Sequence, residues 1–310
     1  VVGRLNRNSD FYADEWYADI KLFNFKFSAG SKRKLFGLHN HDLSSGGMLW
    51  SGNARPLPEI SLSAFDFFHV PFTKGFLSFS GGISHGWFDD HPNVKDVFLH
   101  HKWLLFQTRE DYKWKISAGL HHYAQWGGYT ESLGELPTNL KTFWRVLIAN
   151  AGHENAPVSE QLNAVGNHLG SYNFRFDYKF KNLDIGVYWQ SIFEDNSGRK
   201  LRNLPDGLYG LIIHFPQKKS LVNSVLFEFL NTDYQSGHIA PDSIKDKMTS
   251  GGDNYFIHHI YKMGWTAYGM TIGTPFISSP VFDLDDPAIP NSISNNRVKA
   301  FHTGVSGNIF

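Results

Sequence analysis

The chain has 310 residues, of which 16% are aromatic and none is cysteine, and its 29 Lys and Arg balance 29 Asp and Glu. The missing cysteine excludes a disulfide framework and thiolate chemistry, and the balanced charge offers no basic excess for a nucleic-acid partner. A membrane-spanning helix, which needs roughly eighteen consecutive apolar residues, is excluded, but a barrel is not, because its polar lumen dilutes the hydrophobicity of its outer face.

Taken in chain order, period-2 runs predict strands over about 17–28, 57–63, 75–87, 97–107 and 113–126. The first changes phase: Ile20 and Leu22 lie on one face and Phe23, Phe25 and Phe27 on the other, which predicts a bulge near Leu22. The 113–126 run sets Trp114, Ile116, Ala118, Leu120, His122, Ala124 and Trp126 against Ser117, Gly119, His121, Tyr123 and Gln125. It is long enough to cross a bilayer, which takes ~9–11 tilted residues.

Within 127–167, Leu140, Phe143, Trp144, Leu147 and Ile148 repeat with helical spacing after Pro137 and Thr138. A short amphipathic helix is expected there, packed on the barrel mouth or folded into the lumen, with the membrane interface as the alternative.

Residues 168–194 read as a hairpin about Lys181-Asn182. With Phe180 facing Leu183, one face pairs Tyr178 with Ile185, Phe176 with Val187 and Phe174 with Trp189, all apolar or aromatic. The other face pairs Lys179 with Asp184, Asp177 with Gly186, Arg175 with Tyr188 and Asn173 with Gln190. A one-residue slip would mix the faces, so the register is strongly specified. Further strands are expected over 207–215, 221–231, 264–274 and 297–310.

Short links at 109–112, 181–182 and 216–220 interleave with long ones at 88–96, 127–167, 195–206 and 233–263, as short periplasmic turns alternate with long extracellular loops in outer-membrane barrels. The long stretch 275–296 breaks this alternation. A soluble sandwich also alternates its faces, but strand length, aromatics near strand ends such as Trp126, Tyr172 and Trp189, and loop asymmetry together favour a transmembrane antiparallel β-barrel.

The chemistry-bearing residues are sparse. The pairs His100-His101, His121-His122 and His258-His259 are sequence neighbours; in a strand, neighbours point to opposite faces and do not chelate together. If 109–112 forms the turn, His100 falls opposite His121 as a structural pair without a third ligand. Asp89-Asp90, Glu194-Asp195 and Asp285-Asp286 lie in loops, where solvated acids are ordinary, and no hydrolase or nucleotide-binding motif is present. No catalytic residue, metal or cofactor is expected.

Carbohydrate recognition asks for aromatic faces with amide and carboxylate partners. Tyr188 and Gln190, on the lumen face of the hairpin, and Glu194 and Asp195, just beyond it, supply these groups. Asp253, Asn254 and Tyr255 approach from the next long loop, and the two stretches are expected to border one pocket at the extracellular mouth.

Several ordered motifs carry a family resemblance. They are Leu49-Trp50-Ser51-Gly52-Asn53-Ala54-Arg55-Pro56, Pro71-Phe72-Thr73-Lys74-Gly75, Gly82-Ile83-Ser84-His85-Gly86-Trp87-Phe88, Trp189-Gln190-Ser191-Ile192-Phe193-Glu194-Asp195, Asp206-Gly207-Leu208-Tyr209-Gly210 and Ile272-Gly273-Thr274-Pro275. Over about 48–310 the chain resembles the capsule-assembly Wzi family as it occurs in Bacteroidetes. The resemblance implies an eighteen-stranded outer-membrane barrel, of which about ten or eleven strands fit here, with helices near its ends. It further implies a non-enzymatic, lectin-like role in binding or organising capsular or other surface polysaccharide. Outer-membrane lipid (lipopolysaccharide) and other outer-membrane proteins are the remaining expected partners. A passive channel, or an accessory barrel in a larger outer-membrane complex, is the alternative. Residues 1–310 are read as one domain; the absence of a leader at Val1 and the continuing family pattern suggest that strands are lacking at both ends.

Overall fold

A computed structural model describes residues 2–5, 11–150, 165–216, 221–237, 253–280 and 293–308. Its wall strands are β1 (Val2–Leu5), β2 (Phe11–Leu22), β3 (Phe25–Ser31), β4 (Pro58–Ala64), β5 (Phe68–His69), β6 (Leu77–Trp87), β7 (Phe98–Thr108) and β8 (Trp114–Trp126). After the small hairpin β9 (Tyr129–Thr130) and β10 (Gly134–Glu135) and the helix α1 (Leu140–Ile148), the wall continues with β11 (Asn167–Lys179) and β12 (Asp184–Phe193). The helix α2 (Asn196–Arg199) precedes β13 (Gly207–His214) and β14 (Ser224–Asn231); a second small hairpin, β15 (Thr266–Ala267) and β16 (Met270–Thr271), precedes β17 (Lys299–Ser306). Thirteen strands form one antiparallel sheet in the order β1-β2-β3-β4-β6-β7-β8-β11-β12-β13-β14-β17, with β5 beside β6. Among the described residues the sheet does not close.

The alternation that builds each strand also sorts its faces. In β11 and β12, Phe174 and Val187 are each 40% exposed on the outer face, whereas Asn173 and Gln190 are 4% and 6% exposed on the inner one. The hairpin register matches the expected one at every pair from Lys179 with Asp184 to Asn173 with Gln190, and Phe180 N donates to Leu183 O at 2.9 Å. Aromatics gather where the strands reach the short-turn end, with Tyr112 stacked on Trp114 at 5.5 Å and Tyr178 against Phe180 at 4.6 Å, as an interfacial girdle requires.

Three expectations are corrected. The phase change near Leu22 is a hairpin turn between two strands, not a bulge in one: Phe23 adopts φ 52° and Leu22 pairs with Phe25. The 264–274 run is not a wall strand. It folds as the β15–β16 hairpin inside the sheet's curve, turning at Tyr268 and Gly269, φ 52° and 74°, with Trp265, Ala267 and Ile272 all at most 3% exposed and the Thr266 hydroxyl donating to Met263 O at 2.8 Å. Consequently β14 and β17 are neighbours, and 232–298 is one connection on the long-loop side, which accounts for the broken alternation at 275–296. Finally, His100 pairs with Ala124, not His121. The turn extends to residue 113, which shifts the register and reverses the parity; His101 is the residue turned inward, its Nε2 3.2 Å from His121 Nδ1.

The expected helix forms. Asn139 caps it by accepting from Thr142 N at 3.0 Å, and Ala149 ends it at φ 53°. It lies on the outer wall, not in the lumen: Phe143 packs on the outward His100 and Trp126 at 5.8 and 5.9 Å. Its far stripe is left uncovered, with Leu140, Trp144 and Ile148 at 71%, 56% and 64% exposure.

The main core fills the long-loop half of the lumen, where Met48, Leu49, Tyr255, Trp265 and Ile272 pack against Tyr123, Leu169 and Leu226 of the wall. Towards the short turns the lumen holds two cavities of about 420 and 680 Å³.

Candidate functional site: the plugged lumen and its outer rim

The connection 32–57 between β3 and β4 turns inward and crosses the lumen. Wall side chains facing inward hold it by its backbone. Glu228 of β14 accepts from Ser44 Oγ, Ser45 N and Ser45 Oγ at 2.5, 2.9 and 3.0 Å. Gln190 accepts from Met48 N and donates to Asn173 Oδ1 at 2.8 Å. Arg175 Nη1 donates to Leu38 O at 3.2 Å, and His302 Nε2 lies 2.8 Å from Leu43 O. The chain can turn sharply at Gly46, φ 103°, where a Cβ would stand 2.4 Å from that of Ser51. A column of rings continues from the segment into the wall: Trp50 stacks on Tyr123 at 5.7 Å, Tyr123 on His101 at 4.0 Å, and Trp103 on His121 at 6.2 Å.

Above this plug, the loops after β12 and β14 meet. Glu194 Oε1 accepts from Phe256 N at 2.7 Å. Burial pushes its pKa from 4.5 up to about 8 against the lowering effect of that amide, and Asp253 and Asp195 add to the rise. Although the residue keeps some solvent contact, its carboxyl group is desolvated. Asp206, fully buried, gathers Tyr234 N, Gln235 N, Asn231 Nδ2 and Tyr255 Oη at 2.9, 2.6, 2.9 and 3.0 Å. Burial raises its pKa too, opposed by the Gln235 and Tyr234 amides and the Tyr255 hydroxyl, with Asp233 adding to the rise. Asn296 Nδ2 donates to Asn254 Oδ1 at 2.7 Å, Ser236 Oγ to Asp253 Oδ2 at 2.5 Å, and Trp265 Nε1 to Leu49 O at 2.7 Å, which ties the rim to the plug.

The structure thus brings the two sequence-predicted stretches together and sorts them. Asp195 and Asn254 are exposed and Asp253 is half-buried. Tyr188, Gln190 and Tyr255 are buried and engaged by Glu228, by Met48 with Asn173, and by Asp206 with Asn203. Among the loop carboxylates, Asp89 Oδ1 accepts from Tyr268 N at 2.8 Å and Asp90 Oδ1 from Asp96 N at 3.2 Å; Asp285-Asp286 falls outside the described residues. No group of three or more His, Asp or Glu among the described residues is arranged to hold a metal.

Sequence reasoning missed Glu228, Asp206 and the whole 32–57 plug. Glu228 carried a usable signal, a carboxylate on the inward face of an otherwise apolar strand; Asp206 stood in a recognised motif without an assigned role.

An antiparallel sheet whose longer strands reach bilayer length, apolar outside, with a lumen polar towards the short turns and filled by inward loops towards the long ones, defines a plugged outer-membrane β-barrel. The profile of the family described as Capsule assembly protein Wzi matches residues 3–278, and the chain belongs to that family. Among solved structures, it is similar to the Escherichia coli outer-membrane protein Wzi, described as a carbohydrate-binding β-barrel involved in group 1 capsule assembly. The TM-score is 0.58 at 18% identity, over 88% of this chain and 52% of that one, so the chain spans about half the length of that relative. No curated protein matches the chain.

Proposed function

We propose that this protein is a non-catalytic, lectin-like outer-membrane barrel that binds or organises surface polysaccharide at its extracellular rim. The observation that carries the reading is the junction of the two loops through Glu194 and Phe256 at 2.7 Å, beside which Asp195 and Asn254 present carboxylate and amide groups at the surface and Asp253 stands half-buried next to them. Such groups match the hydroxyls of a glycan. Tyr188, Gln190, Glu194 and Tyr255 belong to the same site by holding the rim and plug in place. Membership of a capsule-assembly family and the carbohydrate binding named for the Escherichia coli relative support polysaccharide as the ligand class.

The uncovered stripe Leu140, Trp144 and Ile148 of α1 supports a second contact, with outer-membrane lipid, in which the helix rests against the wall at the membrane interface. Binding of purified protein to an array of bacterial capsular glycans tests the main reading. Saturable binding to a subset is expected, and an array without binding contradicts it.

A passive channel is the second reading, favoured by the charged lining of the 680 Å³ cavity, with Arg175, Asp177, Lys179 and Asp184. The plug opposes it, and planar-bilayer conductance of the wild-type protein should be nearly silent.

A further inference from the structure

Below the plug, on the side away from the rim, the inner faces of β3, β4, β6, β7 and β8 line the 420 Å³ cavity, a volume within the range of small-ligand sites. Its wall is a register product. One cross-strand row runs Ser28, Ser61, Ser84, His101 and Tyr123; the next runs Lys26, Ser63, Gly82, Trp103 and His121. Hydroxyls therefore stand side by side on three strands, with Ser80 one step further along β6.

The cations around this cavity, Lys26 on β3 and Lys32, Arg33 and Lys34 at the start of the plug, are not equivalent. Lys32 pairs with Asp19 at 2.5 Å and Arg33 with Asp14 at 3.1 Å, and Lys34 is held by Glu59 and by Ser61 Oγ, the latter at 3.0 Å. Lys26, half-buried, makes no ion pair or hydrogen bond among the described residues; Asp19, the carboxylate that acts on it through space, is itself paired with Lys32, so the cavity keeps one ammonium without a direct partner.

Beside it lies an aromatic platform. Gly82, between Ser63 and Trp103, has no side chain; a Cβ there would stand 2.9 Å from Trp103 Nε1 and 2.9 Å from Ser63 Cβ. The bare backbone lets the indole lie across β6 towards the serines, with its N–H unpartnered among the described residues. At the buried edge, Ser84 Oγ and His121 Nε2 also lack partners, on residues only 5% and 2% exposed.

An ammonium without a direct partner, a row of hydroxyls and an indole meet in one cavity. We propose that this cavity binds an acidic sugar, with the ring on Trp103, its hydroxyls on Ser63, Ser80 and Ser84, and its carboxylate on Lys26. The site reaches Ala64, Phe65 and Phe67 at the short-turn end, which is the periplasmic end in outer-membrane barrels. The plug separates it from the rim, so it is a second saccharide site on the opposite side and does not depend on the rim reading.

The test is isothermal titration of the full-length protein in detergent with a glucuronate-containing oligosaccharide, a glucose oligosaccharide of equal length, and inorganic phosphate. The acidic oligosaccharide should bind saturably, at least tenfold more tightly than the neutral one, and more weakly as salt rises. Lys26→Gln and Trp103→Leu should each weaken it at least tenfold, and Lys26→Arg should restore most of it. Heat-modifiable migration on gels checks that each variant is folded. Equal binding of neutral and acidic probes, phosphate binding as tightly as the acidic sugar, or unchanged binding in Lys26→Gln overturns the proposal. Binding that vanishes in the Asp195→Ala/Asp253→Ala/Asn254→Ala variant but persists in Lys26→Gln overturns it while leaving the rim reading intact.

Discussion

Tyr188 donates its hydroxyl to Glu228 Oε1 at 2.5 Å across an intervening strand. The ring reaches over Gly210 of β13, where a Cβ would stand 2.0 Å from the Tyr188 ring. Replacing Gly210 by Ala should force the ring off Glu228 and cost ~1–3 kcal/mol of stability through overpacking, read as a lower midpoint of unfolding in detergent. Unchanged stability would mean that the ring does not lie where described.

Glu228 and Gln190 are the fastenings of the plug. In Glu228→Ala the Ser44 and Ser45 donors and the Tyr188 hydroxyl lose their acceptor, an effect of ~1–3 kcal/mol for each buried group left unpaired. Combined with Gln190→Ala, it should loosen 43–48 and raise single-channel conductance above that of the wild type. Conductance that stays at the wild-type level would show that the plug is held elsewhere.

The outer face of the hairpin is apolar, as contact with lipid would require. Phe176→Arg should cost ~2–4 kcal/mol if the residue sits at the bilayer midplane, whereas Asp177→Asn, on the inner face, should leave insertion into vesicles unaffected. Assembly yield of the two variants in lipid vesicles measures the difference.

The Glu194 carboxyl gives the rim a pH dependence of defined sign. Its folded pKa, about 8, lies above the ordinary 4.5, so the folded rim binds the proton more tightly than the unfolded one. The resulting stability is fully present below pH 4.5 and is lost as pH rises through about 8. Limited proteolysis of the loops beyond β12 and β14 should therefore quicken across this window in the wild type. Glu194→Gln, which cannot ionise, should flatten the profile, and a profile unaltered by that change contradicts the assignment.

How much of this was legible follows from what period-2 patterning encodes. The β11–β12 register was readable to the residue, because one face is apolar, the other polar, and the turn holds two residues. The same pattern does not reveal how long a turn is, which is why His101 and not His100 meets His121. Nor does it distinguish a wall strand from a segment buried inside, as at 264–274. The plug was invisible because its contacts are long-range: Met48 and Gln190 are 142 positions apart, and no local signal joins them. For the same reason Tyr188 and Gln190 were placed on the correct face while their occupant, the plug, was not foreseen.

The rim is the centre of the account, and the most direct measurement is polysaccharide retention on intact cells expressing Asp195→Ala/Asp253→Ala/Asn254→Ala. These three side chains border the rim, and Asp195 and Asn254 stand open to solvent. The account predicts that capsule is shed into the medium while the barrel remains at wild-type abundance in the outer membrane. Capsule retained at the wild-type level by that variant would contradict it.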